Sequence, residues 1–224
     1  MEEAGTRVAK SKAVSSKELI INDSFAYLFT KRTIDITASF LGLILLAPLF
    51  LLLAILIKLE DPKGAVLFKQ TRIGKNGREF GMFKFRSMVS NAEELLEGLL
   101  EQNEVSGAMF KIKEDPRITK LGRIIRKTSI DELPQLYNVL KGDMSLVGPR
   151  PPLIREVSMY TQYEMQRLLA KPGCTGVWQV SSRNDVGFSE MVEMDLKYLN
   201  SRNMKRDLIL ILKTVLIMLK SKAY

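Results

Sequence analysis

The sequence contains no histidine. That removes Ser-His-Asp and Cys-His nucleophilic catalysis, histidine metal ligation and histidine pH switching together. It contains one cysteine, Cys174, which excludes an internal disulfide and a thiolate zinc cluster. A bound metal would sit on oxygen ligands, which favours magnesium, manganese or calcium. Carboxylates are left as the leading acid, base or nucleophile. Yet acidic residues are the minority charge: 25 Asp and Glu against 34 Lys and Arg leave a net charge of +9. An excess of this size points to an anionic partner, whether nucleic acid, a phosphorylated ligand or an anionic lipid surface. Hydrophobic residues make up 46% of 224, enough for a folded core in roughly one domain.

Charge of either sign is absent from Ile36 to Ile57, ITASFLGLILLAPLFLLLAILI. As a helix these residues would extend ~33 Å, close to the hydrocarbon thickness of a bilayer. A soluble core helix rarely carries so much continuous Leu and Ile, and a cleaved signal peptide would begin earlier and be shorter. Pro48, after Ala47, removes one helical hydrogen bond and predicts a bend. Basic residues flank both ends, Lys31 and Arg32 before, Lys58 and Lys63 after, so flanking charge does not orient the segment. A spanning path and a re-entrant path both satisfy these residues.

The chain divides into a polar tail (1–30), a membrane helix (31–60) and the remainder (61–224). Residues 1–24 are Lys- and Ser-rich without period and read as a loose tail. AVLFKQTRIGKNGREFGMFKFRSM reads as two short strands around Gly74-Lys75-Asn76-Gly77, since Asn-Gly is a strong hairpin signal. Apolar spacing predicts helices over Asn91–Asn103, Arg117–Arg126 and Leu153–Ala170. The C-terminal DLILILKTVLIMLK, with Lys205, Arg206, Lys213, Lys220 and Lys222 around it, suits an amphipathic helix on anionic lipid and, equally, a helix packed in the core.

The chemistry concentrates between Asp115 and Pro152. Ser129-Ile130-Asp131-Glu132 matches a capping box, so helix architecture alone accounts for the two acids. Their surroundings shift the weight. Arg123, Arg126 and Lys127 precede them, and Gly148-Pro149-Arg150-Pro151-Pro152 fixes an arginine in a stiff turn. A carboxylate pair among fixed arginines suits phosphoryl chemistry: a carboxylate can hold magnesium or attack phosphorus, and guanidinium groups neutralise phosphoryl oxygens. Elsewhere, Trp178 and Cys174 read as packing, Pro172-Gly173 as a turn, and Arg183 alone as a solvated surface residue.

Taken in order, KRTIDITASFLGLILLAPLF, FKQTRIG, FKFRSM, DPRITKLGRIIRKTSIDELPQLYNVLKGDMSLVGPRP, KPGCTGVWQVSSRND and EMDLKYL resemble the bacterial sugar transferases known as monotopic phosphoglycosyl transferases. The resemblance covers about residues 31–219. It implies an α+β, predominantly helical monotopic membrane protein with a re-entrant N-terminal helix, a small β-hairpin and amphipathic interfacial helices. It implies either a small member or the catalytic domain of a larger one. The implied reaction moves a sugar phosphate from a UDP-sugar to polyprenol phosphate, usually undecaprenyl phosphate, with release of UMP and magnesium as cofactor. The implied place is the cytoplasmic face of the bacterial plasma membrane, as a first step of surface polysaccharide or glycoconjugate synthesis. By the same resemblance Asp131 is the nucleophile and a magnesium ligand, Glu132 assists it, and Arg126, Arg150, Arg183, Arg86 and Asp195 serve substrate binding. The helix break falls at Ala47-Pro48 in place of the Ser-Pro pair of some small members.

Two other readings compete. A membrane-anchored nucleic-acid binder would explain the charge, but an aromatic-studded basic strand and a recognition helix are both absent. A non-catalytic membrane scaffold of a polysaccharide assembly complex would keep the membrane elements and tolerate loss of Asp131. The transferred sugar and any homo-oligomeric state stay open at this level.

Overall fold

The computed structural model describes residues 21, 23–96, 98–99, 112, 115–181 and 187–219. It is mostly helical, with two small two-stranded sheets. Its largest element is α1, Phe25–Glu60, a helix that continues through Pro48 and ends at Asp61, whose N–H bonds to the Ile57 carbonyl. α1 begins six residues before the basic flank and keeps one stripe against the rest of the protein. Tyr27, Asp35, Ser39, Leu53 and Ile57 are buried, at separations that return to one helical face. Phe29, Phe40, Leu45, Leu51 and Leu59 on other faces are more than half exposed.

Both halves of α1 are fastened to the same body. In the first half, Arg32 donates to the Val139 and Leu140 carbonyls at 2.7 and 2.8 Å, and Asp35 accepts from the Leu146 N–H at 2.9 Å. Asp207, 2% exposed, accepts from Tyr27 (2.9 Å), Lys31 (2.7 Å) and Tyr198 (2.6 Å). In the second half, Leu53 and Ile57 pack with Phe85 and Ile125. Burying each such side chain contributes about 1.5–3 kcal/mol. Past them, the Glu60 carboxylate accepts from the Lys120 and Leu121 N–H groups.

The expected hairpin is present. β1 (Leu67–Ile73) pairs antiparallel with β2 (Glu79–Phe85), Leu67 opposite Phe85 and Ile73 opposite Glu79. Its turn needs two left-handed residues, supplied by Asn76 (φ 57°) and Gly77 (φ 76°). α2 is Lys120–Lys127 rather than Arg117–Arg126, because Thr119 caps it by accepting from the Gly122 N–H. Of Asn91–Asn103, the described part to Leu99 forms successive turns without a regular α-helix, and residues 97 and 100–103 lie outside the described residues. α3 spans Gln135–Lys141 and closes on Gly142 at φ 98°.

Two further sequence expectations are corrected here. Pro172-Gly173 is not a turn: Gly173 opens β4 (Gly173–Thr175), parallel to β3 (Ser145–Val147). The two backbones approach so closely that a Cβ on Gly173 would stand 2.1 Å from the Gly148 nitrogen. Leu153–Ala170 is not one helix but α4 (Ile154–Val157), α5 (Gln162–Met165) and a short 3-10 turn. Thr161 interrupts it by starting a new helix, with Glu164 returning its carboxylate to the Thr161 N–H at 2.6 Å. The chain finishes with α6 (Val177–Ser181), α7 (Phe188–Ser201) and α8 (Met204–Leu219). The largest core cluster joins Val147 to Val192, Leu196, Tyr198 and Leu199 of α7 and Leu210 of α8.

Candidate active site

The acidic pair is presented by a turn, not by a capped helix. α2 ends at Lys127, and Ser129 takes a left-handed conformation (φ 56°, ψ 19°) with no side-chain cap bond to the 3-10 turn Ile130–Glu132. The capping-box expectation therefore fails. A non-glycine residue in that region costs about 1 kcal/mol or more, as found where a tight local geometry is required. The two carboxylates that follow differ in exposure. Asp131 is 7% exposed, whereas the Glu132 side chain remains 43% exposed and accepts from Lys84 of β2 at 2.7 Å.

Burial pushes the Asp131 carboxyl up to about 6, and the neighbouring Glu132 charge adds to the rise, while Lys84 and Arg126 oppose it. Asp131 is thus mostly ionised near neutrality yet poorly solvated, a condition that suits a carboxylate nucleophile. Arg126 sits in the last turn of α2, and its Nη1 is buried with no hydrogen-bond partner among the described residues. A buried guanidinium nitrogen left unsatisfied is costly unless an anion meets it.

A second group of arginines gathers where the hairpin clamps the Gly-Pro-Arg-Pro turn. Arg72 of β1 is buried. It donates from Nη1 to the Pro151 carbonyl (3.0 Å) and from Nη2 and Nε to Gln70 Oε1 (2.6 and 3.1 Å). The Ile73 N–H adds a bond to the Pro152 carbonyl at 3.0 Å. Burial first, then the positive charge of Arg150, pull the Arg72 guanidinium down to about 10, with Glu156 and Glu132 resisting. Arg72 therefore lies in the field of both Arg150 and Glu132. The half-buried Arg150 is held by Glu156 at 3.3 Å.

Asp195 lies behind this group rather than in it. It is 1% exposed and accepts from Arg167 Nη2 and Nε at 2.7 and 2.9 Å. Arg167 in turn reaches the Tyr160 hydroxyl (2.7 Å) and the Arg150 carbonyl (3.4 Å). Burial raises the Asp195 carboxyl to about 6 against the pull of Arg167. Arg86 is carried elsewhere. β2 stops at Phe85, so Arg86 no longer follows the strand alternation and donates instead to the Ile57 and Asp61 carbonyls at the end of α1. Arg183 lies outside the described residues.

The structure thus brings together Asp131, Glu132 and Arg126, with Arg72 in the field of both Glu132 and Arg150. Lys84, Arg72 and Arg167 were missed in the sequence. The first two stand inside FKFRSM and FKQTRIG, where strand alternation and the hairpin register carry the signal; for Arg167 there is no sequence signal. Cys174 is on β4, where burial raises its thiol far above the ordinary range, so it stays protonated. Trp178 is half-buried on α6, in keeping with packing.

Residues 26–221 match the family model described as bacterial sugar transferase. The chain belongs to that family. It is similar, at 46% identity over 196 residues, to the galactosyl transferase CpsE of Streptococcus agalactiae serotype III, covering 87% of this chain and 43% of that protein. An undecaprenyl-phosphate galactose phosphotransferase of Salmonella typhimurium is 45% identical over 196 residues, covering 86% and 41%. The exopolysaccharide production protein ExoY of Rhizobium meliloti is 41% identical over 189 residues, with 83% of each chain covered. The chain spans less than half the length of the first two relatives and most of the third. The family match runs from the second residue of α1 past the end of α8.

Proposed function

We propose that this chain transfers a sugar phosphate from a UDP-sugar to polyprenyl phosphate, such as undecaprenyl phosphate, at the cytoplasmic face of the bacterial membrane. The observation that carries the proposal is the buried Asp131 carboxylate beside the unpartnered Nη1 of Arg126. The relative named as an undecaprenyl-phosphate galactose phosphotransferase supports the substrate class.

In the first step an Asp131 carboxylate oxygen attacks the sugar-bearing phosphorus. The phosphoanhydride bond to the nucleotide breaks and UMP leaves with its electron pair, giving an aspartyl phosphosugar. In the second step a phosphate oxygen of the polyprenyl phosphate attacks the same phosphorus. The bond to Asp131 breaks, the carboxylate is restored, and a polyprenyl diphosphate sugar departs. Arg126, Arg150 and Arg72 offset charge on phosphoryl oxygens. Lys84 holds Glu132 in place and favours the ionised form of Asp131.

Among the described residues no group of three metal-ligating side chains exists, so a dedicated protein cage for a cation is not formed. Magnesium fits that arrangement, because it commonly takes one or two carboxylates and completes its shell with substrate phosphates and water. Asp131 and Glu132 are the residues that would hold it. When bound it would neutralise charge on the diphosphate.

The topology we propose is monotopic. Both halves of α1 are fastened to one body, by Arg32, Asp35 and Tyr27 at one end and by Leu53, Ile57 and Glu60 at the other. A helix crossing the bilayer would carry those polar anchors into hydrocarbon or break them. Entering and leaving on one face keeps them, and leaves the exposed apolar side chains of α1 and of α8 to lipid.

Rapid mixing with a UDP-sugar in the absence of acceptor tests the reaction. About one UMP per active site is expected as a burst, absent in Asp131→Asn. Full turnover with acceptor but no burst would replace the covalent route by direct transfer. No turnover with any of a panel of UDP-sugars would favour the scaffold reading.

A further inference from the structure

A cavity of about 260 Å³, not lined by the acidic pair, lies between the first turns of α1, the backbone of Gly148-Pro149 and the α7–α8 junction. Its wall carries five cations, Lys31, Arg32, Lys75, Lys171 and Arg202, against one acid, Asp35. Most of these charges are accounted for. Lys31 pairs with Asp207, Arg32 caps the carbonyl end of α3, Arg202 pairs with Asp23, and Asp35 is held by the Leu146 N–H. Lys75 and Lys171 are the exceptions: both are exposed, and neither ammonium has a hydrogen-bond or ion-pair partner among the described residues.

Lys171 is also crowded by like charge. Its ammonium and an Arg32 guanidinium nitrogen stand 3.5 and 3.3 Å from the point where a Cβ on Gly142 would sit. Burial first, then Arg32 and Lys75, pull its ionisation below that of a free lysine, with Asp35 and Asp143 resisting. Like charges gathered at the mouth of a cavity whose one acid is already bonded favour a bound anion. The same wall contains Leu28, and the neighbouring α1 side chains Phe25 and Phe29 are 83% and 63% exposed. An anion bound here would have apolar surface directly beside it.

We propose that this cavity is a binding site for the phosphate headgroup of an anionic membrane lipid, separate from the acidic pair, with Lys171 and Lys75 as its principal contacts and the acyl chains lying along the first turns of α1. Such a lipid would fasten the start of α1 to the Gly148-Pro149 turn and so brace the backbone that carries Arg150. The chemistry recognised is a phosphate ester anion; the adjoining apolar surface selects a lipid over a free ion.

The test reads binding and needs no turnover, so it fails independently of the reaction proposed above. Detergent-solubilised full-length protein is titrated with short-chain phosphatidylglycerol, with phosphatidylcholine of the same chains, and with inorganic phosphate, and the thermal midpoint is followed. Phosphatidylglycerol should raise the midpoint with the strongest apparent affinity. Removing one lysine from an anionic lipid contact weakens binding about fivefold, so Lys171→Gln with Lys75→Gln should weaken it about 25-fold. The charge-matched control Lys197→Gln with Lys69→Gln, at exposed positions outside the cavity, should keep the wild-type response. Equal responses in the two double variants would overturn the site. A phosphatidylcholine response equal to that of phosphatidylglycerol would overturn charge recognition. Saturation by inorganic phosphate, with nothing added by the lipid, would reassign the site to a free anion and overturn the lipid proposal.

Discussion

Replacing Asp131 with asparagine should abolish turnover and, at neutral pH, make the protein more stable. The carboxyl is raised from 3.8 to about 6, chiefly because the fold buries it and places Glu132 beside it. The folded state therefore binds the Asp131 proton more tightly than the unfolded state does. Below about pH 4 both states are protonated and the group contributes nothing to the difference. Between about pH 4 and 6 the folded state holds more protons than the unfolded state, so stability falls as pH rises. Above about pH 6 the full cost of a buried anion is present. A rise from 3.8 to about 6 corresponds to about 3 kcal/mol at most. Asparagine is nearly isosteric and never ionises, so it escapes this cost.

The difference in stability between Asp131→Asn and wild type should accordingly be near zero at pH 4, grow through pH 6 and level off above it. At the plateau it should reach about 1–3 kcal/mol, or several degrees in Tm for a chain of this size. Asp195 titrates in the same window, but it is present in both proteins and cancels. Thermal unfolding in detergent across this pH range measures it. An asparagine variant that is less stable than wild type at pH 7.5, or a difference that does not change with pH, would refute the account of Asp131 as a carboxylate held at a cost for its chemistry.

Four further outcomes follow from the same geometry. Lys84→Met should move the acid limb of the rate–pH profile upward, because Lys84 favours the ionised Asp131, while Lys84→Arg should keep the limb near its wild-type place. Arg86→Met should cost about 2 kcal/mol of stability through lost bonds to the end of α1, with KM and kcat of the folded fraction unchanged; a specific rise in KM would return Arg86 to the substrate. Gly173→Ala should destabilise by about 3 kcal/mol, read by denaturant titration, since its Cβ would meet the Gly148 nitrogen at 2.1 Å. Chelation of divalent cations should abolish the UMP burst and leave the unfolding midpoint nearly unchanged, as expected where the described residues offer no cage of their own.

What could be read from the sequence was local. The hairpin was legible because Asn76-Gly77 names its own turn, and α1 because 22 residues without charge admit few alternatives. The acidic pair was singled out by the arginines around it; the competing capping-box reading at Ser129 is real in letters and unused in space, because Ser129 is left-handed. The break at Thr161 was missed for the opposite reason, a working capping box hidden within an apolar run. Long-range placement was not legible at all. That Arg86 would turn to α1 while Lys84 faced Glu132 depends on β2 ending after Phe85, one residue before the alternation would have reached Arg86. Asp195 was singled out as a substrate contact, yet its place behind Arg150, through Arg167, requires α7 to dock against the 3-10 turn that carries Arg167.

The relation between α1 and the acidic pair gives the fold its functional sense. α2 is the shared part. Its first N–H groups are capped by Glu60 at the end of α1, its buried Ile125 packs on Leu53 and Ile57, and its last turn supplies Arg126 beside Asp131. The distance from α1 to the Asp131 carboxylate is therefore set by one eight-residue helix, capped by Glu60 at its start and leading into the turn that carries Asp131. An acceptor whose phosphate sits at the membrane surface needs a nucleophile held at one height above that surface. A turn docked on a packed helix holds it better than a long loop, whose position varies with each local opening. Packing α2 directly on α1 fixes the height through buried apolar contacts. Uncoupling them should therefore impair acceptor use before donor use. In Ile125→Ala, expected to lose about 2–5 kcal/mol, the UMP burst from the UDP-sugar should persist in the folded fraction while transfer to polyprenyl phosphate slows. Equal loss of both half-reactions would show that α2 serves the carboxylate alone and that its contact with α1 sets no height.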